Sequence, residues 1–231
     1  MIDFSKVHIP YNYVLVKELR KNDELLLRSG HKLYLDTSYE KEKHASVYGL
    51  VVKVPEKLYF DKESHSTKSV YYDVDIELKS GDIGFFNYMC VQNCIDNNAF
   101  LLDGEDVYFF IKYDLFICAK RGDDVIPVNG FVIVEALENE NIKRLEAIGL
   151  VAPDGNQDSE RRGIVKYIGS PVRNYFYENE GTCDTNEIKQ GNTVLFGIND
   201  SIALEYDIHR ILSQGRQWYK MRRNDILGIF N

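Results

Sequence analysis

The apolar positions of the chain fall in short runs. YVLVKEL, YGLVVKV, DIGFFNY and VYFFIKYDLFIC come first, followed later by FVIVEAL, GIVKYIG, TVLFGI and WYKMRRNDILGIF. All are rich in Val, Ile, Phe and Tyr and are bounded by Gly, Pro, Asn or Asp. Runs of this length and composition predict β-strands. Several, VLV and FVIV among them, are apolar at successive positions, as expected where a small barrel is filled on its inner face and packed against a neighbour on its outer one. Helical spacing is weak and confined to the neighbourhood of Glu135–Glu146. Two polar stretches interrupt the strands, DTSYEKEKHASV over 36–47 and PDGNQDSERR over 153–162. Neither carries enough apolar surface to offset an ordering cost of roughly 1–2 kcal/mol per residue, so both are predicted to be mobile loops.

The runs repeat. IPYNYVLVKEL at Ile9–Leu19 returns as IPVNGFVIVEAL at Ile126–Leu137, with Pro10 and Pro127 offset by 117. LKSGDIGFFNY returns as IKQGNTVLFGI, with Gly81 and Gly191 offset by 110, and KYDLFIC returns as RNDILGIF, with Asp114 and Asp225 offset by 111. Three matches in one order at similar offsets predict two tandem units, 1–122 and 123–231, the first carrying about seven extra residues before its Gly81 turn. An insertion of that size costs little, because loop-closure entropy grows only logarithmically with length.

The order of these stations resembles the GroES co-chaperonin family, twice over. An opening Pro precedes a V-x-V-[KE] strand, then come a loop with an aliphatic triplet, an R-G-x-V strand, a K-x-G-D turn and a closing strand. In the second unit Gly149-Leu150-Val151-Ala152 falls at the triplet, Arg162-Gly163-Ile164-Val165 at the strand after the loop, and Asn224-Asp225-Ile226-Leu227 at the closing strand. In the first unit Leu33-Tyr34-Leu35 falls at the triplet, Tyr48-Gly49-Leu50-Val51 at the next strand, and Lys79-Ser80-Gly81-Asp82 at the turn. The departures are an aromatic in the first triplet, Ala152 at the end of the second, and Asn192 in place of the turn aspartate.

The resemblance implies an all-β fold of two tandem small GroES-like β-barrels with flexible loops. It also implies a lid for a GroEL-like, ATP-dependent chaperonin of the cytoplasm, docked through Leu33, Tyr34, Leu35, Gly149, Leu150, Val151 and Ala152. Docking of each triplet gains about 1.5–3 kcal/mol per large side chain before ordering is deducted, so many copies on one ring are needed for firm attachment. A homo-oligomer is therefore expected. Because each chain brings two units, a ring of equivalent barrels would hold six or eight of them, or one unit of each chain would stand off the ring. A second reading stays open, in which the triplets are strand ends buried in their own barrels and the chain is a structural or virion assembly protein, phage-like, reusing the barrels as packing modules.

Composition narrows the field further. The 231 residues suit one large domain or two small ones, and a formal charge of −8 opposes the counterion release that drives nucleic-acid binding. No run approaches the ~20 apolar residues of a membrane span, and MIDFSKVHIP has no leader pattern, so neither insertion nor secretion is expected. Cys90, Cys94, Cys118 and Cys183 are too few and too uneven for a disulfide framework and read as reduced thiols. Cys90 and Cys94 lack two further zinc ligands, and the five histidines show neither H-E-x-x-H spacing nor a nucleophile elbow nearby. Asp123-Asp124 and the run Glu135–Glu140 read as solvated or capping groups. Arg161-Arg162 and Arg222-Arg223 lack the interleaved aromatic platforms of a nucleic-acid groove. No enzyme, cofactor or metal is expected.

Overall fold

In the computed structural model the apolar runs are strands. The structure describes residues 2–9, 12–19, 24–26, 32–34, 46–58, 75–139, 142, 144, 147–149, 158–170, 188–197, 202–203, 208–209, 212 and 215–230. Chain order gives β1 (Tyr13–Glu18), β2 (Glu24–Leu26), β3 (Lys32–Tyr34), β4 (Tyr48–Lys53) and β5 (Ile83–Phe86), then helix α1 (Met89–Asp96). There follow β6 (Phe100–Asp103), β7 (Asp106–Lys112), β8 (Phe116–Arg121), β9 (Asp124–Pro127), β10 (Phe131–Glu138) and β11 (Asp158–Ile168). Last come β12 (Thr193–Phe196), β13 (Ile202–Ala203), β14 (Trp218–Arg222) and β15 (Ile226–Phe230).

The strands pair into two antiparallel sheets. One has the order β6-β7-β1-β4-β5-β8-β9 and the other β13-β14-β10-β11-β12-β15, with β2 and β3 forming a separate two-stranded ladder. The fold is all-β in its sheets, as expected. Among the described residues neither ladder closes on itself.

The central strands explain their own composition. In β1, Val14 and Val16 enter one core with Phe86, Phe109, Ile111 and Phe116, while Leu15 enters another with Ile9 and Tyr108. In β10, Val132 and Val134 pack with Val194, Phe196 and Met221, while Ile133 faces the opposite way. Alternation with a period of two thus puts apolar groups on both faces because both faces are covered. Glycine marks a tight crossing in each sheet. A β-carbon on Gly49 would overlap Val16 Cγ1 and stand 2.8 Å from the Lys17 carbonyl oxygen. One on Gly163 would overlap Val134 Cγ1 and stand 2.5 Å from the Glu135 carbonyl oxygen.

The two Lys-x-Gly turns are built alike. Lys79 N donates to Asp82 Oδ2 and Lys189 N donates to Asn192 Oδ1, both at 2.7 Å. Gly81 N donates to the Val51 carbonyl and Gly191 N to that of Val165, both at 2.8 Å. Asn192 therefore closes its turn as an aspartate would.

Several boundaries differ from expectation. The runs read as single long strands, VYFFIKYDLFIC and WYKMRRNDILGIF, are each broken by a 3-10 turn, Tyr113–Leu115 and Arg223–Asp225. The Glu135–Glu146 region begins as strand, since β10 continues to Glu138, and is helical at residues 142, 144 and 147. Helix α1 was not foreseen. Its Cys90, Val91 and Cys94 are buried on one face, and Cys94 Sγ donates to the Phe110 carbonyl at 3.3 Å.

Candidate partner-binding site

The expected site has two parts, and the structure describes them unequally. Leu33 and Tyr34 lie in β3, whose register sets Leu33 against Leu25 and Tyr34 against Glu24. This hairpin belongs to neither large sheet. Leu35, Leu150, Val151 and Ala152 lie outside the described residues, as do 36–45 and 153–157. Gly149 is exposed and has a φ of +77°, the left-handed conformation that ends a helical turn, after the helical residues 142, 144 and 147. The residue before it is Ile148, 71% exposed. Sequence reasoning started the second triplet at Gly149 and passed over this side chain. Its signal was an isoleucine directly before the glycine, in a segment where an apolar run should have been followed to its end.

The described ends of the two stretches expected to be loops are packed or paired. Ser46 and Val47, at the end of 36–47, are buried, and Val47 packs with Phe85, Ile117 and Trp218. Residues 158–162 of the second stretch belong to β11, with Asp158 opposite Glu138. Ladder pairing at Asp158 and Arg162 is a contact that a count of apolar side chains does not register.

The cluster around Val47 joins the two sheets. Phe85, Ile117, Cys118 and Val125 pack there against Ile133, Ile208 and Trp218. Strand β9, placed by its sequence in the second unit, pairs with β8 of the first sheet, Ala119 opposite Ile126 and Cys118 opposite Pro127. A polar knot sits beside this junction. Glu77 accepts from Asn129 N through Oε2 and from Ser170 N through Oε1, both at 2.9 Å. Asn129, fully buried with a φ of +56°, donates through Nδ2 to the carbonyls of Tyr113 at 2.8 Å and Phe116 at 2.9 Å. The Asn of the Ile-Pro-x-Asn station is thus a structural staple. Burial raises the Glu77 carboxyl above its ordinary range against the lowering pull of those two N–H donors.

Most of the other candidate groups are absorbed by packing. Cys90, Cys94 and Cys118 are buried and in no disulfide, and burial pushes the Cys94 thiol up to about 11 and that of Cys118 up to about 12. The Arg222 guanidinium stacks 3.8 Å from the Phe131 ring centroid, and Arg223 Nη2 donates to the Gly169 carbonyl at 2.6 Å. Asp123 and Asp124 are exposed at the β8–β9 turn. Among the described residues no group of three or more His, Cys, Asp or Glu is placed to hold a metal, and no helix is long and apolar enough to cross a membrane.

No protein-family model matches the chain. The Co-chaperonin GroES of Syntrophotalea carbinolica is 33% identical over 106 residues, which are 46% of this chain and 97% of that protein. The Co-chaperonin GroES of Trichlorobacter lovleyi is 28% identical over 103 residues, 45% of this chain and 93% of its own length. That of Rickettsia canadensis is 26% identical over 105 residues, 46% and 96% respectively.

Proposed function

The chain belongs to the GroES co-chaperonin family, and on that premise we propose that it is a co-chaperonin that docks on a GroEL-like, ATP-dependent chaperonin ring in the cytoplasm and assists protein folding there. The observation that carries the reading is the match itself: nearly the whole length of a GroES protein aligns with less than half of this chain. Two units, 1–122 and 123–231, would then each be of GroES length. The common strand order of the two sheets, from β6 to β8 and from β13 to β15, supports that division.

The docking elements in this reading are the segments of Leu33-Tyr34-Leu35 and Gly149-Leu150-Val151-Ala152, to which we add Ile148. An exposed aliphatic side chain beside a turn glycine has little to lose in the unbound protein and gains when a groove covers it. Single contacts of this kind are weak, and copies held on one assembly make attachment firm because each further docking is intramolecular. The reading includes homo-oligomers, and β15 ends its ladder with Leu227 and Phe230 exposed. No catalytic step is assigned to the chain.

The test is capture of purified chain by a GroEL-type ring with ATP or ADP present, read by co-sedimentation. Retention that depends on nucleotide supports the proposal. Absence of retention under every nucleotide condition, with the chain folded, overturns it and leaves the packing-module reading.

A further inference from the structure

We propose that residues 2–9 are a displaceable cap: on the first sheet they occupy the face by which the second sheet docks onto the first, and the occupant they exclude is the β15 face of a second copy of this chain. The inference rests on the reading above that copies associate.

Register fixes the correspondence between the two faces. On the first sheet Leu15 stands opposite Phe110 and Lys17 opposite Tyr108. On the second, Ile133 stands opposite Lys220 and Glu135 opposite Trp218, so Ile133 and Trp218 hold the places of Leu15 and Tyr108. Ile133 and Trp218 are buried by groups of the first sheet and its flanks, among them Phe85, Ile117 and Cys118. Leu15 and Tyr108 are buried as well, yet their cover is Phe4, Val7 and Ile9 of the same chain.

The complementary face is open. Phe86 pairs with Phe116 and Phe196 with Ile226, which sets Leu227 in the place of Ile117. Ile117 is 2% exposed and Leu227 60%. Each chain therefore carries one complete junction, one open donor face at β15 and one acceptor face closed by its own residues 2–9.

The cap packs on the sheet without joining its ladder. The Phe4 ring lies 4.6 Å from that of Tyr108, Lys53 Nζ donates to the carbonyls of Phe4 and Val7, and Ile2 N donates to Asp103 Oδ2 at 2.8 Å. Its regular structure is one 3-10 turn, Phe4–Lys6, with an exposed Lys6–Asp3 ion pair. A segment that lends no strand to a ladder can leave without breaking one. The repeat also shows the alternative conformation of this sequence. Ile126, which stands for Ile9 in the Ile-Pro-x-Asn station, is a strand residue paired with Ala119 where a neighbouring sheet is present.

The experiment measures mass in solution by analytical ultracentrifugation for the full chain, a chain lacking residues 2–6, Phe4→Ala, and each of the last two combined with Leu227→Asp. Removing the cap should raise the mass at fixed concentration, Phe4→Ala should lower the association midpoint about tenfold or more, and Leu227→Asp should reverse both. Should the truncated chain not fold, Phe4→Ala carries the test alone. Association unchanged by Phe4→Ala, or increased but indifferent to Leu227→Asp, overturns the cap. A full chain that assembles through Leu227 yet ignores Phe4→Ala refutes the cap while leaving the assembly reading intact. Variants that stay monomeric at every concentration refute both.

Discussion

Asp82 and Arg121 form a two-pronged ion pair, Nε to Oδ1 at 2.7 Å and Nη2 to Oδ2 at 2.8 Å, with the carboxylate buried. The same Arg121 Nη2 donates to the Glu77 carbonyl at 3.0 Å, so one guanidinium ties the Lys-x-Gly-Asp turn to the extended segment leading into it. Asp82 Oδ2 also closes the turn on Lys79 N. The matching turn of the second sheet holds Asn192, and its amide oxygen makes the turn bond without a charge to neutralise.

That comparison sets the first prediction. Arg121→Met leaves a buried carboxylate without its cation and should cost about 2–4 kcal/mol, below the cost for a wholly buried pair because the arginine is partly solvated. Asp82→Asn keeps the turn bond, as Asn192 does, and in the Arg121→Met background should recover most of the loss. Urea unfolding of the two single variants and the double variant measures the coupling. Additive losses would count against the pairing argument.

The second prediction concerns the crossings at Gly49 and Gly163. A methyl group at either position must displace a buried valine and approach a strand carbonyl, and overpacking of this kind costs typically 1–3 kcal/mol. Gly49→Ala and Gly163→Ala should each lower Tm, by about 2–4 °C per kcal/mol for a chain of this size. Gly228→Ala, where a β-carbon would meet Leu195 Cβ only at 4.0 Å, should be much milder and serves as the control.

A third follows from Glu77. Its carboxyl titrates above the ordinary range in the folded chain, so the folded state holds the proton more firmly than the unfolded one. For an acid raised in this way stability falls as pH rises, starting near the unfolded value of about 4.3 and levelling off above the folded value. Glu77→Gln cannot ionise, and it should remove this slope even though one of the two N–H partners loses its acceptor. The stability of Glu77→Gln relative to wild type should therefore improve as pH climbs through that window. A difference that is flat with pH would refute the assignment.

The fourth uses the thiols as reporters. Burial disfavours the thiolates of Cys94 and Cys118, and the thiolate is the reactive form. Alkylation at pH 8 should spare both in the folded chain. Cys118 lies in the cluster joining the sheets and Cys94 on the buried face of α1, so their labelling under mild denaturant, followed by mass spectrometry, should separate opening of the junction from opening of the first core.

Much of the fold could be read from the residues, because strand alternation and turn chemistry are local. Leu15 and Ile133 were legible as two-faced strand positions, the Ile-Pro-x-Asn station as the opening of a strand and the Lys-x-Gly station as a turn. What sequence could not show was tertiary. Cys90 and Cys94 were read only as reduced thiols short of a zinc site, whereas their spacing of four is helical and turns both thiols inward. The Asp114–Asp225 match gave 111, while strand register places Phe116 with Ile226 at 110, because the two 3-10 turns align by shape and not by their aspartates. Val47 looked like the end of a polar loop because the groups that bury it, Trp218 above all, are distant in sequence. At the candidate site Gly149 was legible as the start of the triplet, and Ile148 was missed because the family pattern fixed attention on the residues after it.

The last prediction concerns Ile148, whose exposure and position before Gly149 make it the described side chain best suited to enter a partner groove. Ile148→Asp removes apolar surface that the isolated chain leaves in water, so stability should shift by less than about 0.5 kcal/mol. In a chaperonin groove the same carboxylate would be buried without a cation, at a cost of several kcal/mol, and capture by the ring should fall steeply. Leu150→Asp with Val151→Asp tests the neighbouring triplet and Leu33→Asp with Leu35→Asp the other one, each read by capture and by urea unfolding together. A variant that stays folded and is still captured removes its segment from the site. One that unfolds shows that the segment packs within its own sheet, which is the arrangement expected of a packing module and not of a lid.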